Sequence, residues 1–169
     1  MWLRQLIILA MTLLIAVMTQ SAFLSRLGLP GATPDLILVS VLAVALAYGP
    51  AMGVVYGFAA GLLLDFSPST QGVVGVNALL FMAAAFYAGR AINPRDRTVP
   101  LIIGLVAGTA AAVTLVRAML DSLLGQPTVV WANVPELMIT GAIYAALLTP
   151  LVVMPLGWVV KKFTPEVAI

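Results

Sequence analysis

The chain has 169 residues, of which 63% are hydrophobic and 8% charged, with a net charge of +2, a pI near 9.3 and a mean hydropathy of +1.15. A soluble domain carries about 25% charged residues, so this composition excludes a wetted globular surface and places residues 1–169 in or against a bilayer as one domain. With no cysteine and no histidine, disulfides, thiol nucleophiles, imidazole bases and the usual transition-metal sites are excluded, and no cofactor is expected.

Reading apolar runs between turn signals predicts an all-α, polytopic membrane protein with six transmembrane helices. The first is Gln5–Leu24. Arg4 ahead of an apolar stretch has the look of a signal peptide, but Ser21 and Ala22 form no Ala-x-Ala cleavage pattern and the apolar character continues to Leu24. It is read as a retained span. Asp35–Tyr48 and Pro50–Asp65 follow, divided only at Gly49-Pro50. At 1.5 Å per residue, about 14 residues reach only about 21 Å of a hydrocarbon core roughly 30 Å thick. These two are either thin-spanning helices or a re-entrant hairpin. Val76–Ala91, Val99–Leu120 and Val134–Val160 complete the set, with breaks at Gly28–Gly31, Ser67–Ser69, Asn93–Arg95 and Gly125–Pro127. Pro50 and Pro135 sit in first turns, where helices tolerate proline, whereas Pro150 and Pro155 should kink the last helix.

Charge chooses the orientation. With both ends cytoplasmic, Arg4, Arg90, Arg95, Arg97, Lys161 and Lys162 face inward and only Arg26 and Arg117 face outward, as the positive-inside rule asks. Trp2 and Trp158 then mark the inner interface, and Phe23 and Trp131 the outer one. The basic residues are topology signals, so no nucleic-acid partner is expected and the contact medium is membrane lipid.

Gly49, Gly53, Gly57 and Gly61 stand four apart along the third segment, and Asp65 follows one turn later. Residues at that spacing are neighbours on a helix, so the row forms a groove without side chains that another backbone can enter. Because four residues advance the helix by about 400°, the row winds around the axis. Leucine at Gly57 or Gly61 should force the facing helix away, and alanine should be milder. Gly104, Gly108 and Ala112 repeat the spacing on the fifth segment and predict a second close crossing.

In the predicted orientation Asp35, Asp65, Asp121 and Glu136 gather at outer helix ends beside Arg26 and Arg117. Asp35, behind Pro34, and Glu136 open helices, where the macrodipole favours an anion; Asp65 ends one, where it does not. Its expected partner is Arg117, or alternatively the backbone of the Ser67–Thr70 turn. Asn77 opens the fourth segment and is expected to hydrogen-bond a neighbouring helix. Carboxylates are present, but no nucleophile, base or metal cluster accompanies them, so an enzyme, including a lipid-modifying one, is not expected. Every charge lies near a helix end, which argues against a transporter with mid-membrane ion sites.

The order Pro34-Asp35-Leu36, then Gly57-Phe-Ala-Ala-Gly61-Leu-Leu-Leu-Asp65, then Gly75-Val-Asn77-Ala-Leu resembles the bacterial rod shape-determining protein MreD family over nearly the whole chain. The resemblance implies a non-enzymatic scaffold of the cell-elongation machinery in the bacterial inner membrane, supporting peptidoglycan synthesis. Its implied direct partner is MreC, with MreB, RodA and a penicillin-binding transpeptidase in a larger complex. It also implies a fold similar to the six-helix substrate-binding subunit of energy-coupling-factor vitamin transporters, and hence an alternative reading as a small-molecule uptake subunit. Those subunits dock through an Ala-x-x-x-Ala motif on the first helix, whereas here Ala10 and Ala16 are six apart.

Overall fold

A computed structural model describes residues 2–22, 31–67, 73–91, 98–125 and 130–163. Phe23, Arg26, Arg95 and Arg97, together with most of the turn residues between the predicted segments, lie outside the described residues. Those described form six α-helices: α1 (Trp2–Ala22), α2 (Leu36–Tyr48), α3 (Pro50–Asp65), α4 (Val76–Ala91), α5 (Val99–Leu123) and α6 (Val134–Phe163), the last entered through a 3-10 turn at Trp131–Asn133. α3 and α4 have the predicted bounds, and α5 runs three residues further than expected. α6 continues helically through Pro150 and Pro155.

The short second segment is the centre of the molecule. Every residue of α2 from Leu36 to Leu46 is buried, and Val39, Val41, Leu42, Val44 and Ala45 expose no surface at all. α2 touches each of the other five helices. That explains its composition: a helix apolar all round has no wet face to present and must be enclosed. Its 13 residues reach about 20 Å, and protein surrounds it on every side, which is where a short element at membrane depth is tolerated. Its first turn is capped by two side chains. Asp35 Oδ1 accepts the Leu38 N–H at 2.9 Å, and Gln20 Oε1, reaching across from α1, accepts the Leu36 N–H at 2.7 Å.

Gly49 joins α2 to α3 with a positive φ of 88°, and a Cβ added to it would meet nothing within 4 Å. It therefore serves the turn, and the groove proper is made by the other three glycines. A Cβ on Gly53 would lie 2.5 Å from Ala45 Cβ and 2.7 Å from Ala45 Cα, on α2. On Gly57 it would meet the Phe81 carbonyl oxygen of α4 at 2.8 Å and Val41 Cγ1 of α2 at 3.2 Å. On Gly61 it would collide with the backbone of Asn77 and Ala78, on α4. The winding row thus serves two neighbours, turning from α2 at one end of α3 to α4 at the other. At the far end of α4 the relation reverses, since a Cβ on Gly89 would strike Pro50 Cα at 2.7 Å. Pro50 opposite Gly89 and Gly61 opposite Ala78 share one antiparallel register, so the two backbones touch along the whole α3–α4 seam.

The second close crossing is absent. Nothing lies within 4 Å of a Cβ built on Gly104 or Gly108, and both line an open cleft of about 530 Å³ between α4 and α5. The expectation failed because spacing makes a groove possible without supplying the helix to fill it.

Outside this core the surface is apolar. Ile139, Ile143, Leu147, Leu151, Met154 and Trp158 form an exposed stripe along α6, and Ile7, Met11, Leu14 and Met18 another along α1. Soluble monomers rarely show contiguous apolar patches above a few hundred Å², whereas lipid welcomes them. α5 and the stretch ending in Trp158 are each long and apolar enough to cross a membrane.

The seam also makes alanine costly in its own right, though it remains smaller than leucine. At Gly61 the first carbon of any side chain already meets backbone, so Gly61→Ala should cost at least the roughly 1–3 kcal/mol typical of overpacking, lowering the melting temperature in detergent. Gly108→Ala should be neutral or stabilising by up to about 1 kcal/mol, from helix propensity alone. Equal melting shifts for the two would contradict the seam.

Candidate functional site

Helix α4 begins with backbone N–H groups that have no partner within the helix, as every helix does. Here the partner is the carboxylate of Asp65, delivered by the last residue of α3 after the chain reverses between the two helices. Oδ2 accepts the N–H of Gly75 at 2.9 Å and of Ala78 at 3.2 Å. Oδ1 accepts the Asn77 backbone N–H at 3.4 Å and its side-chain Nδ2 at 2.8 Å. Asp65 is buried at 7% exposure and Asn77 at 2%, so these bonds form away from solvent. Gly75, at φ 101°, takes the backbone conformation that brings its own N–H to the carboxylate.

The expected partner of Asp65 is corrected by this geometry. Arg117 reaches the carboxylate through an intermediary: its Nη1 donates to Asn77 Oδ1 at 2.8 Å, while Nε faces Asp121 Oδ2 at 3.8 Å, one turn further along α5. The Ser67–Thr70 turn, the other expected partner, lies largely outside the described residues. Asn77 is the joint. Its Nδ2 serves the anion of α3, its Oδ1 the cation of α5, and its backbone sits in the first turn of α4. Both amide dipoles are thus spent on charged groups, where hydrogen bonds are strongest. A helix N-terminus carries partial positive charge, so the carboxylate that seemed misplaced at the end of α3 is well placed at the start of α4. Arg90 occupies the last turn of the same helix, its guanidinium 4.9 Å from the Phe86 ring centre, and answers the opposite pole.

The other expected residues divide. Asp35 caps α2, and Pro34 is buried beside it. Glu136 lies exposed in the first turn of α6, and the chain before α2 is held there by a different residue: the Thr140 hydroxyl donates to the Glu136 carbonyl at 2.7 Å and accepts the Ala32 N–H at 3.0 Å. Gln20, Thr140 and Gly89 hold the fold at positions that the sequence patterns above do not mark. Gln20 did carry a signal, as the one strongly polar side chain inside the first apolar run, and Ala85-x-x-x-Gly89 repeats the small-residue spacing. Thr140 carried none, because a threonine on an apolar helix most often bonds its own preceding turn.

An enclosed apolar helix, a seam of bare backbone, buried charge confined to one end and apolar outer stripes are the features of a helical membrane-associated protein, and two of the described helices are long and apolar enough to cross a bilayer. The sequence profile of the rod shape-determining protein MreD matches residues 2–157, and the chain belongs to that family. No curated relative and no solved structure matches it.

Removing the charge from Asp65 should be more damaging than a simple ion pair would suggest. Asparagine offers one acceptor oxygen and turns an NH2 group toward N–H donors, so at least two of the four bonds are lost. Asp65→Asn should destabilise the protein by about 2 kcal/mol or more, given roughly 1.5–3 kcal/mol for a hydrogen bond to a charged group. In a double-mutant cycle, Asn77→Ala and Arg117→Gln should be strongly non-additive. Additivity would separate α5 from the network.

Proposed function

We propose that the protein is a non-enzymatic scaffold of the bacterial cell-elongation complex, holding MreC in the inner membrane and supporting peptidoglycan synthesis and cell shape. Membership of the MreD family over residues 2–157 carries this reading, since the family's role is rod shape determination. The polar network supports it, because Asp65, Asn77 and Arg117 are engaged in tying three helices together. MreB, RodA and the penicillin-binding transpeptidase are partners in the larger assembly. The chain crosses the membrane six times with both ends cytoplasmic, α2 and α3 forming a short hairpin around Gly49 in which α2 is the protein-shielded arm.

Two experiments test it. Tagged protein purified in mild detergent should bring MreC with it, and recovery of an ATPase pair with a coupling subunit instead would overturn the scaffold. For topology, the cysteine-free chain allows clean labelling in intact cells. Thr98→Cys and Lys162→Cys should be protected from an impermeant thiol reagent and Gln126→Cys should react. Labelling at position 98 would rule out the six-span arrangement.

A further inference from the structure

A second polar feature shares only Arg117 with the Asp65 network. At the same end of the bundle a cavity of about 510 Å³ opens between α1, α2, α5 and α6, within the range of small-molecule sites. Its polar lining is Gln20, Thr33, Asp35, Thr114 and Arg117; deeper, Leu38, Leu64 and Phe81 make it apolar.

The lining can be sorted by what each group has left to give. Arg117 spends Nη1 on Asn77 and faces Asp121 with Nε, and no described acceptor bonds its Nη2. Gln20 uses its oxygen on the Leu36 N–H, which leaves the NH2 end as a donor. Thr114 gives its hydroxyl proton to the Ala110 carbonyl at 3.0 Å, which leaves it an acceptor. Asp35 accepts one N–H through Oδ1, and no described cation lies within ion-pair distance of it. The cavity therefore holds one cationic group with spare donors and one carboxylate that no cation bridges directly, with hydroxyl acceptors in the same lining. A simple anion would be repelled by Asp35 and a simple cation by Arg117. A molecule bearing both charges a short chain apart satisfies both.

We propose that this cavity binds an aminophosphate zwitterion, a phosphate ester carrying a primary ammonium. The phosphate is taken by Arg117 and Gln20, the ammonium by Asp35 and Thr114. The membrane source of that chemistry is an ethanolamine phospholipid head group, and the soluble source is free phosphoethanolamine.

The test uses the full chain in detergent and native mass spectrometry with short-chain phosphatidylethanolamine, short-chain phosphatidylglycerol and free phosphoethanolamine. The ethanolamine lipid should be retained at least tenfold better than the glycerol lipid. Binding of free phosphoethanolamine with similar affinity would assign the site to the soluble source, and binding of the lipid alone to the membrane source. Asp35→Asn keeps a good helix cap while removing the charge, so it should fold and abolish the tenfold preference. The near-isosteric Thr114→Val should reduce the preference severalfold without touching the cap. Equal retention of both lipids by the unaltered protein would overturn the proposal, as would a preference unchanged in both variants. Either result with MreC capture intact would leave the scaffold reading standing.

Discussion

The carboxylate of Asp65 on the first turn of α4 is the contact on which the rest of the arrangement depends. It fixes where α4 starts, and with it the register in which Gly61 meets Ala78 and Pro50 meets Gly89. A slip of one residue would drive a side chain into bare backbone at each crossing. Through Asn77 the same carboxylate reaches Arg117, so the polar end of α5 is located by a helix it otherwise touches lightly. In lipid, apolar side chains gain little by burying against one another, and close backbone packing with a few satisfied polar groups must hold the bundle. Both are concentrated on α3.

The interior of the α2–α3 hairpin is organised in the same spirit. Ser40 donates its hydroxyl proton to the Ile37 carbonyl at 2.7 Å, and its oxygen lies 3.3 Å from the Tyr56 hydroxyl across the hairpin. The two helices are otherwise joined by small residues and branched aliphatics, with Ala45 against Gly53 and Val41 against Gly57. α2 makes no demand on the lipid at all. Its short length, which in an exposed helix would force the bilayer to thin, carries no such penalty inside a protein sheath.

What the sequence made legible was what depends on near neighbours. The bounds of α3 and α4 follow from Pro50, Asp65 and Ala91 and the turn signals beside them, and the glycine groove follows from helical spacing alone. What it hid was which surface lies opposite. Gly57-x-x-x-Gly61 and Gly104-x-x-x-Gly108 read identically, yet one is filled by α4 and the other opens on a cleft. Asp65 was recognisable as a charge opposed by its own helix dipole. Its true answer, the dipole of the next helix, required knowing that the turn folds back far enough to present Gly75 and Asn77. Gln20 likewise showed its polarity but not its target, because Leu36 becomes its partner only when α1 packs beside α2.

The antiparallel seam also sets an order of assembly. α2, α3 and α4 occupy one continuous stretch from Leu36 to Ala91, so every backbone contact among them closes a short loop, and short loops cost little entropy to close. α5 and α6 follow in the chain, and the N-terminus of α4 with its Asn77 amide is held by Asp65 from within that stretch, independently of them. Arg117 is then received by a finished socket. The first half of the chain thus offers a template for the second, and an error introduced at the seam passes through Asn77 to the helix that bonds it.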